Sequence, residues 1–454
     1  MTNLVRRLML VAGLTLIALS AAAAEPEPVG DLVRQAFNSN PAVRADALAK
    51  LEARGKPDVA AGLIQALRFV NDRDGAIGTT LRRLTGASYG SHWFTWMEWQ
   101  QAHPEVMPFA GFDAFKADVM ALIDPNFRDF LYAGVPHEIR LEEIAWGGVR
   151  KDGIPALIDP RHVPAADAGY LDDDELVFGV AIDGDARAYP LRIMDWHEMF
   201  NDVVGGVPVA LAYCTLCGSG ILFETLLDDR DTRLVFGSSG FLYRSNKLMY
   251  DHGTNSLWNQ FTGRPVVGPL TGLGIELRIR PVAITTWAAW RERQPQTQVL
   301  SLETGYARDY TPGRPYAAYF NSPDLMVPAP TTDDRLKPKD YVYALRVGTG
   351  EAALEKAWPL TAFAGGAVVN DRVGDTAVVL IGDAATRTVR AYDRGAHTFT
   401  ADGDGVAADS VAWQVTEDAL VGPDGSTLAR LPGHIAYWFA WSGYKPDAAF
   451  FDGG

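Results

Sequence analysis

Apolar side chains between residues 30 and about 70 recur at helical spacing. Residues 42–51 place alanine, valine and leucine on one face, Gly55 is suited to end that helix, and Pro57 to open the next through Leu63, Leu67 and Val70. Trp93, Trp96 and Trp99 continue the helical region, and their three-residue recurrence reads as core packing. From about Ile123 the pattern shortens. Residues 147–156 are turn-rich, residues 176–182 are strand-like, and Asp183-Gly184-Asp185 marks a hairpin into residues 186–191. The spacing then predicts a helix over residues 192–203, with Ile193, Met199 and Phe200 buried and Gly205-Gly206 as its stop. Residues 207–213 form an unbroken apolar run, the mark of a buried strand, and it delivers Cys214 and Cys217 at its end.

The chain also resembles itself. Ala188-Tyr189-Pro190-Leu191 matches Ala357-Trp358-Pro359-Leu360, an offset of 169 residues. At that offset Asn201-Asp202 falls on Asn370-Asp371, Gly205 on Gly374 and Leu211 on Leu380. Further on, Pro281, Trp287, Trp290 and Pro295 match Pro432, Trp438, Trp441 and Pro446 at an offset of 151. The expectation is an α+β protein: a helical, HEAT-like region over 25–122, then two tandem, internally duplicated β-rich domains over 123–336 and 337–454. At the first offset Cys214 corresponds to Asp383, Cys217 to Thr386 and His197 to Gly366. The second copy therefore keeps the frame and lacks the thiols and imidazole. Asn201, Asp202, Trp287 and Trp290 read as structural, because they recur where that chemistry is missing.

Composition narrows the function. Residues 1–24 have the form of a secretion signal, with Arg6 and Arg7 before an apolar stretch and Ala21 to Ala24 at the cleavage site. The expected location is periplasmic or secreted, with no membrane span once the signal is cleaved. The formal charge of -15 becomes more negative when those two arginines leave, which disfavours nucleic acid and anionic lipid as partners. With 48% hydrophobic residues and 12 tryptophans, the chain can build large cores. Two cysteines are too few for a disulfide framework, though export permits one short-loop disulfide.

The candidate chemistry gathers where thiols and imidazoles do. A metal centre would take Cys214 and Cys217 as thiolates with His197 and His252, a set suited to zinc or copper. A thiol–disulfide centre would use the same Cys-x-x-Cys, with a histidine or Arg244 activating one thiol. A covalent cysteine nucleophile with a histidine base is a third possibility. A structural Cys pair in a non-catalytic metal-, partner- or ligand-binding module is the plainest reading. Residues 237–240 and 243–246 look like polar, glycine-bearing loops near this centre. Asp195, Glu198 and Asp251 stand beside histidines in sequence and are candidates to orient them. Nothing points to a nucleotide cofactor, and the substrate or protein partner is not legible.

These residues carry a family resemblance. Lys151-Asp152-Gly153-Ile154-Pro155-Ala156, Trp196-His197-Glu198, Tyr213-Cys214 through Cys217-Gly218, Met249-Tyr250-Asp251 and Ser256-Leu257-Trp258 resemble the bacterial and archaeal domain of unknown function DUF 3179, over about residues 147–302. The resemblance implies no established activity. Thr215 departs from it, since a proline is expected between the cysteines.

Overall fold

The structure, a computed structural model, describes residues 28–329, 333–403 and 405–453. The expected signal peptide lies outside those residues. Among the described residues no helix is long and apolar enough to cross a membrane.

The N-terminal region is helical as expected. Asn40 caps the helix Pro41–Arg54 by accepting a hydrogen bond from the Ala42 amide, Pro41 opens it, and Gly55 ends it in the left-handed conformation. Pro57 begins a short turn that feeds the helix Ala60–Phe69. Trp96 and Trp99 are buried in the helix Trp93–Ala102. This region shares a core with the first β unit: Phe127 lies 4.4 Å from Phe241 and Phe130 lies 5.0 Å from Tyr250, ring centre to ring centre. The helices thus cover one side of a sheet.

β-rich sheets make up the rest. One sheet runs Ile144–Trp146, Phe236–Tyr243, Asn246–Asp251, Leu257–Asn259, Arg264–Val267. A second is built on the meander Met199–Val204, Val207–Cys214, Ser219–Glu224. Asn201 staples the two sheets: its side-chain amide donates to the Phe236 carbonyl and accepts from the Phe236 amide, at 2.9 and 2.7 Å. A third sheet pairs Leu176–Ile182 with Asp185–Pro190, flanked by Ala283–Thr286 and by Gln298–Leu300.

The same features recur after residue 340. Tyr341–Val347 pairs with Leu354–Pro359, flanked by His434–Tyr437 on the antiparallel side and Ala449–Phe450 on the parallel side. The meander Ala367–Val373, Thr376–Asp383, Thr388–Asp393 repeats the register of the earlier one at the 169-residue offset. Cys214 pairs with Ser219 as Asp383 pairs with Thr388, and Asn201 with Ala210 as Asn370 with Val379. Asn370 also clamps the backbone of Phe399, which draws the last strand of an eight-stranded, barrel-like sheet to its first. Asp202 receives Arg187 and the Tyr189 hydroxyl, and Asp371 receives Lys356 and the Trp358 indole. These contacts explain why Asn201 and Asp202 recur: both positions hold strands together.

Two local expectations are corrected. The helix expected over residues 192–203 spans only Leu191–His197, and Met199–Val204 is a strand. Residues 237–240 are not a loop; they lie inside the strand Phe236–Tyr243.

The turn between Val207–Cys214 and Ser219–Glu224 is where the two β units meet. Gly218 sits at φ 61°, and a Cβ there would stand 3.0 Å from the Tyr341 ring and 3.1 Å from the Tyr437 ring. The Tyr437 amide donates to the Cys217 carbonyl at 2.8 Å. Gly218→Ala combines left-handed strain with a crowded contact, and is expected to lower the unfolding free energy by about 2 kcal/mol or more. Chemical denaturation of the variant measures this, and an unchanged midpoint would contradict it.

Candidate functional site

Cys214 forms the last ladder pair with Ser219, and Cys217 lies within the four-residue hairpin loop 215–218 between them, next to Gly218 in the left-handed position. This brings their Cα atoms to 5.2 Å, and they are joined as a disulfide. Both are buried, Cys214 at 3% exposure and Cys217 at 0%. Their environments differ. Cys214 lines a cavity of about 270 Å³ together with Glu198, Leu216, Ser238, Lys247 and Tyr316. Cys217 is outside its walls, and its Sγ lies 2.8 Å from the Ser245 carbonyl oxygen.

Glu198 and Lys247 form an ion pair in that cavity, 7% and 4% exposed. Glu198 adopts φ 55° just beyond the helix Leu191–His197, an unusual conformation for a residue with a Cβ. The helix's last turn and the strand Val207–Cys214 hold it there: its amide donates to the Met194 carbonyl and its carbonyl accepts from the Tyr213 amide, each at 2.7 Å. Thr215 Oγ1 donates to Glu198 Oε1 at 2.9 Å, and the Tyr316 hydroxyl reaches the same oxygen at 3.2 Å. A proline at position 215 has no hydroxyl to give, so the departure from the expected motif supplies Glu198 with a partner.

The other expected site residues are placed elsewhere. His197 is fully buried, with Nδ1 2.8 Å from the Pro155 carbonyl and Nε2 2.6 Å from the Tyr310 hydroxyl. Nδ1 facing a carbonyl must carry the proton, which leaves Nε2 to accept from the phenol. Burial holds the imidazole below its usual pKa. His252 is exposed and stacks on Tyr250, ring centres 5.2 Å apart. Among the described residues no three His, Cys, Asp or Glu side chains are grouped to hold a metal ion. The set Cys214, Cys217, His197 and His252 is therefore not assembled: the ring of His197 is engaged by a carbonyl and a phenol, and that of His252 by an aromatic face. Arg244 turns away to Glu143, at 2.7 Å, and ties the hairpin to residues 141–143.

Sequence reasoning missed Lys247 and Tyr316. The signal for Lys247 was present: it is the one cation in Asn246–Asp251, a strand buried along its whole length. Asp195, a candidate to orient a histidine, lines a second cavity with Tyr213, Tyr341 and Arg387.

A family model described as "Protein of unknown function (DUF3179)" matches residues 151–448. The chain belongs to that family. The match reaches well past residue 302 and takes in the second β unit, so the family unit contains both halves of the β region. No curated protein and no solved structure matches.

Proposed function

We propose that this family member is an exported thiol–disulfide oxidoreductase, with Cys214 the exchanging sulfur and Cys217 its buried partner. The observation that carries the reading is the asymmetry of the pair: one sulfur lines a cavity beside a buried lysine–glutamate pair, and the other is packed against a carbonyl. In the oxidising direction a substrate thiolate attacks Cys214 Sγ, the Cys214–Cys217 bond breaks, and Cys217 departs as a thiolate. The second substrate thiolate then attacks the substrate sulfur of the mixed disulfide and releases Cys214. Two electrons pass to the Cys pair, and the two substrate protons end on its thiols. In the reduced pair the Cys217 thiol faces the Ser245 carbonyl as an acceptor, which holds it inside the fold and leaves Cys214, on the cavity wall, as the sulfur that exchanges.

Equilibration with glutathione buffers, followed by trapping of thiols, tests the reading. The native protein is expected to cycle between disulfide and dithiol with a midpoint above about -300 mV. Cys217→Ser is expected to form a mixed disulfide with glutathione through Cys214, and Cys214→Ser to form far less. A pair that resists reduction until the protein unfolds would leave only a structural clip.

We also infer that the two β units descend from one ancestral unit. Their ladders share register at a constant offset, and their asparagine clamps and aspartate ion pairs correspond. On this reading the second unit, with Asp383 and Thr386 at the cysteine positions, braces the first.

A further inference from the structure

Adjacent residues on a strand point to opposite faces, so the strand end that sends Cys214 into one cavity sends Tyr213 into another. That second cavity, of about 400 Å³, lies where the two β units meet, and both build it. Leu191, Asp195 and Tyr213 come from the first unit, Phe320 from the connecting segment, and Tyr341, Arg387 and Tyr437 from the second. Its size suits a small organic molecule.

Two side chains in it have unused bonding capacity. Asp195 is 5% exposed, and its Oδ1 is buried with no hydrogen-bond partner. A buried carboxyl oxygen without a partner costs free energy, and such a group in a cavity wall is suited to a ligand donor. Arg387 belongs to no ion pair among the described residues. Its guanidinium lies over the Tyr341 ring, 4.5 Å from the centre, and gives one hydrogen bond, at 3.0 Å, to the Tyr341 hydroxyl. Its remaining donors are free for an anion. Lys339, by contrast, is occupied by the carbonyls of Tyr319 and Ser322, at 2.7 Å each. In a chain of net charge -15, an uncompensated guanidinium beside aromatic walls is a selective feature.

We propose that this cleft binds a small hydroxylated organic acid, with its carboxylate on Arg387, its hydroxyl on Asp195 Oδ1 and its flat body against the tyrosine rings. The site uses neither sulfur, so its failure would leave the redox reading standing. Isothermal titration of the full mature chain with 4-hydroxybenzoate, benzoate and phenol tests it. The expected result is saturable binding of 4-hydroxybenzoate, about tenfold tighter than either probe lacking one group. Arg387→Gln, in an accessible turn, is expected to weaken both acids about tenfold while leaving phenol unchanged. Asp195→Ala is expected to abolish the preference for 4-hydroxybenzoate over benzoate, a ratio that a general loss of stability would not move. No saturable binding of any probe overturns the assignment. Equal binding of the two acids by the parent chain, or unaltered affinities in the variants, does so as well.

Discussion

Lys247→Met alone is expected to destabilise the folded protein by about 3–5 kcal/mol, and Glu198→Met by a similar amount. The double variant is expected to lose far less than the sum. Each single change strands a charge in a cavity whose walls are mostly apolar: Lys247 is 4% exposed and Glu198 7%. Removing Glu198 also takes the acceptor from the Thr215 and Tyr316 hydroxyls, so its cost includes two lost hydrogen bonds. Replacing both charges removes the desolvation penalty along with the attraction. A double-mutant cycle from chemical denaturation measures the coupling, and additive effects would show that the pair is solvated and carries no such energy. Thiol accessibility of the reduced pair should be followed in the same variants, because the ion pair and Cys214 share a cavity.

How far the sequence foretold this arrangement differs from element to element. The strand ending at Cys214 was legible because it is apolar without interruption, and the hairpin at Asp183-Gly184 because its residues tolerate the turn. Residues 199–204 were not. All but Val203 are buried in that strand, so the alternation that identifies a half-exposed strand is absent and its apolar positions imitate a helix. What ends the preceding helix is Glu198 in the left-handed conformation, and glutamate gives no local warning of that. Residues 237–240 misled in the opposite direction. Small and polar, they suggest a loop, yet Ser239 bonds the Leu248 carbonyl and the Phe241 amide within a buried strand. At the site, sequence proximity suggested histidine partners for the cysteines. The fold instead brings a lysine from the neighbouring hairpin and a tyrosine from a connecting segment about a hundred residues away. Pairings of that kind arise from sheet topology, and no local pattern encodes them.

The second large effect concerns Asp195. Burial, reinforced by the charge of Glu198 and opposed by the neighbouring Tyr213 hydroxyl, pushes its carboxyl up to about 7 from 3.8. In the unfolded chain this group loses its proton near pH 4, whereas the folded protein retains it until about pH 7. Across that window the folded state binds more protons than the unfolded state, so stability falls as pH rises. The favourable contribution is complete below about pH 4 and gone above about pH 7, and a shift of that size corresponds to about 4 kcal/mol. Asp195→Asn removes the titration. The variant is therefore expected to gain stability relative to the parent between about pH 4 and pH 8, by up to about 4 kcal/mol, with the midpoint of the change below pH 7. The difference between the two unfolding free energies, measured across that range, isolates Asp195 from every other titrating group. Parallel pH profiles for parent and variant would mean that the carboxyl is ionised in the folded state.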